Sequence, residues 1–371
     1  MKAIQLQWHK ALACRQAAGR LRTLKLPGKG IDFCSNDYLG LSASRDFQHI
    51  LLTAVNNNPG YLTGATGSRL ISGNTPAVTA VEDLIAAEHD VESALLFPSG
   101  YKANIALLSC IVGRQDTILV DELVHRSVHD GCLMSKAVKW KFRHNDPEHL
   151  ESLLKKAKGQ VVIVVESLYS MDGDFAPLNS IAVLAEKYGA GLVVDEAHAI
   201  GVFGKGLVHA ARLQQKVLAT VVTYGKAMGV QGAAVLGCSL LKAYLVNFAS
   251  PFIYSTAMPD VQAISIQLAY AYVNSNSELA QRLQERIRYF RTSVRSAISG
   301  AQSPIQAILF STVDQLKQAA AALYRHNIHA YPVLAPTVPA GAERLRICLH
   351  QFNSNQEIDT LHAILQEYEQ R

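Results

Sequence analysis

The chain has 371 residues, 49% hydrophobic and 18% charged, which supplies a large core and, at about 150 residues per domain, fits two domains. Lys plus Arg exceed Asp plus Glu by 35 − 30 = 5, and these cations form no run. That pattern gives no nucleic-acid footprint and suits an anionic small-molecule substrate. Cys14, Cys34, Cys110, Cys132, Cys238 and Cys348 contain no C-x-x-C pair, which argues against a metal site or a disulfide framework and fits a reducing cytoplasm.

The first 24 residues are interrupted by His9, Lys10, Arg15 and Arg20. They lack a signal-peptide core and are predicted as an amphipathic helix. No apolar run is long enough for a membrane span. "TAVEDLIAAE" (79–88) has helical spacing, "SALLFPSG" reads as a buried strand, and "YKANIALLSCIVG" reads as a helix. "TILVDE", "QVVIVVES" and "GLVVDEAH" are aliphatic runs that each close on an acid, the pattern of parallel strands covered on both faces. "NSIAVLAEKYGA" is a crossover helix, with Asn179 or Ser180 as cap and Gly189 near its end. The alternation predicts an α/β fold whose ligands bind beyond the carboxyl ends of the strands. After Pro259 a long helical stretch leads to "QAILF", "RLRICL" and further helices. The expected division is an arm over 1–45, a large domain over 46–270 and a smaller α+β domain over 271–371.

Four features carry chemistry. Lys226 stands among small and apolar neighbours in "VVTYGKAMGVQGAAVLG". Burial strips such an amine of its proton and makes it a nucleophile toward a carbonyl, although a lysine at a surface turn has the same local sequence. Asp195 and His198 follow a strand in "VVDEAHAIG". The acid is equally explained as the start of a helix, or it faces a heteroaromatic nitrogen. The turns at Pro98–Asn104 and Thr66–Asn74 are ordinary loops, or a phosphate cradle in which Gly100 and Tyr101 open a helix and present free N–H groups. His125, beyond a third strand, is structural or stacks on a ring. One ligand satisfies all four: an aldehyde for the lysine, a ring nitrogen for the acid, a flat face for the histidine and a phosphate for the glycine turn. That ligand is pyridoxal 5'-phosphate.

The motifs "FCSNDYLGLS", "GSRLISGN", "FPSGYKAN", "RHNDPEHL", "SLYSMDGDFAPL", "VVDEAH", "TYGKAMGVQGAAVLG", "IYSTAMP" and "PTVPAGAERLRI" resemble those of the α-oxoamine synthases. The likeness runs from about Phe33 to the C-terminus. These are fold-type I pyridoxal phosphate transferases, aspartate aminotransferase-like, with a mostly parallel sheet in the large domain; they join an amino acid to an acyl thioester and release carbon dioxide. Within them the chain is most similar to members that use L-alanine and a pimeloyl thioester for biotin. The resemblance makes Lys226 the cofactor lysine, Asp195 the partner of the ring nitrogen and His125 the stacking residue. His198 and Ser170 contact the region of the ring hydroxyl, and Gly100, Tyr101 and Thr223 lie on the phosphate side. Ser255 and Thr256 reach the phosphate of a neighbouring subunit, which implies a homodimer with shared sites. Asn36 and Arg346 contact the substrate, Arg346 clamping the carboxylate with its planar fork. Thr337 and Arg22 match positions near the acyl thioester, carried on coenzyme A or on an acyl carrier protein. The chain departs from the family at Ala199–Ile200, where Gly-Thr is usual, at Tyr224, where Phe is common, and in a short segment between Arg22 and Phe33. None of these removes a catalytic group.

Three other readings compete. A sibling synthase using glycine or serine shares nearly every motif. A non-catalytic subunit of the same fold would have lost the lysine or the acid, and both are present. A nicotinamide dehydrogenase suits the sheet, but "GVFGKG" has the wrong order of glycines for a dinucleotide turn.

Overall fold

The computed structural model describes residues 2–19, 21–24 and 28–369. Its strands are β1 (Ile31–Asp32), β2 (Ser93–Phe97), β3 (Thr117–Asp121), β4 (Val138–Phe142), β5 (Val161–Glu166), β6 (Gly191–Asp195), β7 (Ala219–Thr223), β8 (Ala233–Gly237), β9 (Ile305–Leu309), β10 (Ile328–His329), β11 (Tyr331–Val333) and β12 (Arg344–Cys348). Seven of them form one sheet in the order β2-β8-β7-β6-β5-β3-β4. The aliphatic runs of the sequence are its central strands, and successive residues feed opposite faces. Val221 belongs to one apolar core and Val222 to the other, as a two-residue repeat requires.

β8 alone is antiparallel to its neighbours β2 and β7; the pairings among β3, β4, β5, β6 and β7 are all parallel. The carboxyl ends of β2, β3, β5, β6 and β7 therefore share one edge. The crossover helix Leu178–Tyr188 ends on Gly189 in the left-handed conformation (φ 62°) as expected. Its start differs from expectation: Pro177 holds the cap position with no side-chain bond, and Asn179 and Ser180 lie inside the helix. The fixed φ of proline prepares a helix entry without needing a polar side chain.

The predicted helical stretch after Pro259 is two helices, Asp260–Ser275 and Glu278–Ser293. A three-stranded antiparallel sheet, β11-β12-β9, follows, with helices Val313–Arg325 and Asn355–Glu369. β1 pairs in parallel with β10, Ile31 opposite Ile328. That pairing draws residues 31–38 back onto the C-terminal strands and sets Asn36 beside Arg346.

Helix Ala3–Ala17 forms within the predicted stretch, but it is not amphipathic: its apolar residues are spread around it and none is buried. Ile4, Trp8 and Leu12 are all exposed, so no apolar face is covered. Among the described residues, no helix is long and apolar enough to cross a membrane.

Candidate active site

The shared strand edge opens onto a cavity of about 500 Å³, lined among others by Asn36, Ser99, Gly100, Thr223, Lys226 and Gln231. That volume suits a cofactor with a small substrate. Lys226 sits in the connection between β7 and β8. This turn is closed by Tyr224 N–H on Gly232 O at 2.9 Å and Gly229 N–H on Lys226 O at 2.9 Å. Burial pushes the amine down to about 8, with the charges of Asp195 and Glu166 pulling the other way. Lys226 is half-buried and lines the cavity, so it does not stand on an open surface turn.

Asp195 ends β6 and is followed by turns rather than a helix, so a helix dipole does not account for it. It is buried. Its Oδ2 accepts from Asn104 Nδ2 at 2.7 Å and its Oδ1 from Ala197 N–H at 2.9 Å. Asn104 lies on helix Gly100–Leu108 and also donates to Ser127 Oγ at 3.0 Å, which in turn bonds His125 Nδ1 at 2.8 Å. One hydrogen-bonded path thus links Asp195 to His125. The His125 ring remains open to solvent, and burial of its inner edge lowers its proton affinity. Tyr101 meets it edge-on at 6.4 Å and donates to Asp130 at 2.6 Å.

The phosphate side is a close approach. A Cβ at Gly100 would collide with Thr223 Oγ1, so only glycine lets the helix amides and this hydroxyl converge on one anion. Ser99 caps the helix through Lys102 N–H at 3.3 Å. The lysine amine and the amide-plus-hydroxyl cradle line one cavity, and the buried acid lies within electrostatic reach of the amine; these residues fit the aldehyde, phosphate and ring nitrogen of pyridoxal phosphate.

At the opposite side, Arg346 on β12 is buried. Its Nε donates to Ser170 O at 2.7 Å, Nη2 to Asn36 Oδ1 at 2.9 Å and Nη1 to Cys348 Sγ at 2.8 Å. Tyr38 Oη donates to Asn36 Oδ1 at 3.1 Å and lies 2.7 Å from His198 Nδ1. Burial, then the nearby charges of Lys226 and Arg346, hold His198 well below the usual imidazole range and keep it neutral.

Lys226, Asn36, Gly100 and Thr223 thus line the cavity. Hydrogen bonds tie Asp195 to His125 through Asn104 and Ser127, and join Arg346, Ser170 and His198 around Asn36 and Tyr38. Ser255 and Thr256 line a separate small pocket with Lys102 and Arg69. Arg22 and Thr337 are exposed and outside the cavity lining. Sequence reasoning passed over Asn104, Ser127, Tyr38 and Glu166. Asn104 stood in a quoted motif, one helical turn after Gly100, and Glu166 was visible as the acid closing its strand.

The family of class I and II aminotransferases matches residues 28–363. An 8-amino-7-oxononanoate synthase of Emericella nidulans is 35% identical over 374 residues, covering 93% of this chain and 91% of the relative. A solved 8-amino-7-oxononanoate synthase from Francisella tularensis superposes with a TM-score of 0.78 at 26% identity, over 91% of this chain and 97% of that one. Serine palmitoyltransferase from S. paucimobilis, solved with a PLP–myriocin adduct, shares the fold with a TM-score of 0.88 at 23% identity, over 98% and 97% of the two chains. The chain belongs to the class I and II aminotransferases, among the fold-type I α-oxoamine synthases and most like 8-amino-7-oxononanoate synthase.

Proposed function

We propose that the chain is an 8-amino-7-oxononanoate synthase. It would join Cα of L-alanine to the acyl carbon of a pimeloyl thioester, on coenzyme A or an acyl carrier protein, with release of the thiol and carbon dioxide. The observation that carries the reading is Lys226 and Asp195 at neighbouring strand ends, the amine poised near 8. The chain's similarity over more than nine-tenths of its length to a synthase of that name supports it.

Lys226 would hold pyridoxal phosphate through its aldehyde, Asp195 would face the ring nitrogen, and His125 would cover the ring. Gly100, Tyr101 and Thr223 would hold the phosphate. The bound cofactor supplies an electron sink for the pair left at Cα. Arg346 receives the alanine carboxylate; its fork already faces two acceptors, Asn36 Oδ1 and Cys348 Sγ, that an anionic oxygen outcompetes. Lys226 takes the Cα proton, and its lowered affinity for protons matches the task near neutral pH. Neutral His198, fixed by Tyr38, offers a ring nitrogen without adding charge.

The assembly is a homodimer in which Ser255 and Thr256 serve the partner's phosphate. Tyr254, 85% exposed, and Ile71, 86% exposed, support a covered face there. Free thiols at all six cysteines support a cytoplasmic location. The proposed division is an arm over 1–45, a large domain over 46–270 and a smaller domain over 271–371, the last boundary falling within helix Asp260–Ser275. Arg22 and Thr337 belong to the acyl-donor side.

The test is thiol release from pimeloyl-CoA with alanine, glycine and serine in turn, together with borohydride reduction of the yellow protein. Alanine-dependent release and a pyridoxyl adduct on Lys226 are expected. Preference for glycine or serine would transfer the chain to a sibling activity, and the absence of the adduct would overturn the reading altogether.

A further inference from the structure

Glu166 is a buried acid to which the reaction above gives no task. It closes β5 opposite Asp195 on β6. Side chains at paired positions of neighbouring parallel strands point to the same face, so two carboxyl groups lie side by side, 3% and 5% exposed, and both act on the charge of Lys226.

Their donors are unequal. Asp195 is served on both oxygens, at 2.7 and 2.9 Å. Glu166 Oε2 accepts the Ser170 amide at 3.2 Å, and Oε1 is buried with no partner among the described residues. Two adjacent buried carboxylates cannot both stay ionised at little cost, and the pair settles with one proton. The better-served oxygen pair keeps the charge.

We propose that Glu166 carries a proton while Asp195 alone is ionised, making Glu166 a positioning residue that keeps a single negative charge under the ring nitrogen. The inference rests on the pyridoxal phosphate reading of this cavity. The groups facing Glu166 are Asp195 from β6, Lys226 from the β7–β8 connection, the Tyr169 phenol that follows β5, and the amides of His125 and Ser170. Burial raises the carboxyl to about 8, with the Asp195 charge adding to the shift and Lys226 opposing it.

Infrared spectroscopy of the holoenzyme decides the proton. At about pH 7, below the Glu166 value, the wild type is expected to show a neutral-carboxyl carbonyl band that Glu166→Gln lacks. In the wild type that band should vanish as pH rises through about 8, a titration that needs no variant. Identical wild-type and Glu166→Gln spectra, or a band indifferent to pH, would overturn the proposal. Pyridoxal phosphate affinity gives the role: Glu166→Ala should weaken it about tenfold, and Glu166→Gln, permanently neutral and of the same shape, should restore it to within about threefold. A glutamine variant as weak as the alanine one would show that a charge is needed and sink the idea. If the protein bound no pyridoxal phosphate, the reading of the cavity would fail, and the infrared band of the unloaded protein would still decide whether Glu166 holds a proton.

Discussion

Asn104 donates to Asp195 across 2.7 Å, joining the helix that opens at Gly100 to the strand that ends on Asp195. The contact is buried, so losing it strips an Asp195 oxygen of its donor without giving it water in exchange. Asn104→Ala should cost about 2 kcal/mol of stability and weaken pyridoxal phosphate binding. Thermal unfolding and a cofactor titration measure the two effects, and an unchanged affinity would mean that Asp195 holds its place without help.

Lys226 must be neutral to capture an aldehyde. Burial lowers its proton affinity to about 8, so the rate of pyridoxal phosphate capture by the cofactor-free protein should climb as pH passes through about 8 and level off above it. Stopped-flow absorbance reads this. A rate still climbing toward the ordinary lysine value would show an amine in free contact with water.

His144 bonds Asp121 through Nδ1 at 2.9 Å and Asp174 through Nε2 at 2.7 Å. Burial disfavours its charge, but the two carboxylates outweigh burial and raise it to about 10. A folded value above the unfolded one adds stability that is complete below about 6.5 and is lost as pH rises through about 10. His144→Ala leaves the buried Asp121 facing Asp174 and should cost about 3 kcal/mol near neutrality. The gap in melting temperature from the wild type should narrow as pH approaches 10, and a gap constant with pH would show a neutral histidine in that place.

Gly100→Ala forces a methyl group into Thr223 Oγ1. Overpacking of this kind costs about 1–3 kcal/mol and should weaken phosphate binding. Thr223→Ala removes the collision, so the double variant should recover stability to within about 0.5 kcal/mol of Thr223→Ala alone. Simple additivity in denaturant melts would contradict the contact.

The aliphatic runs that became β3, β5 and β6 were legible because burial on both faces leaves nothing but side chains of one kind. β4 was hidden. Lys139 and Lys141 break its apolar pattern, and its place at the sheet edge explains them, since an edge strand tolerates lysines that discourage further pairing. The reversed direction of β8 was also beyond reach, because a buried strand has the same composition in either sense. Lys226, Asp195 and His125 were singled out by the chemistry of one ligand, and the pairing of β6 with β7 brings the first two to one edge of the sheet. Tyr38 was not, since its bond to His198 spans 160 positions. The departure at Tyr224 likewise makes sense only in three dimensions. Its hydroxyl lies 3.2 Å from that of Tyr270, which in turn bonds His89 at 2.7 Å. Ala199 and Ile200 are fully buried, so their substitution for smaller or more polar residues is absorbed by the core.

The reversed β8 has a kinetic consequence. Because it returns directly beside β7, the lysine loop is anchored in the ladder at both stems, Thr223 opposite Ala233. Hydrogen bonds of Tyr224 N–H to Gly232 O and Gly229 N–H to Lys226 O tie its backbone down between them. On the proposed reading, an amine that released a carbonyl would travel only as far as its side-chain torsions allow, motions of picoseconds to nanoseconds. A leash that short would keep the same nitrogen within reach of whatever replaced it, so one side chain could grip and then ferry hydrogen with the loop still held at both ends.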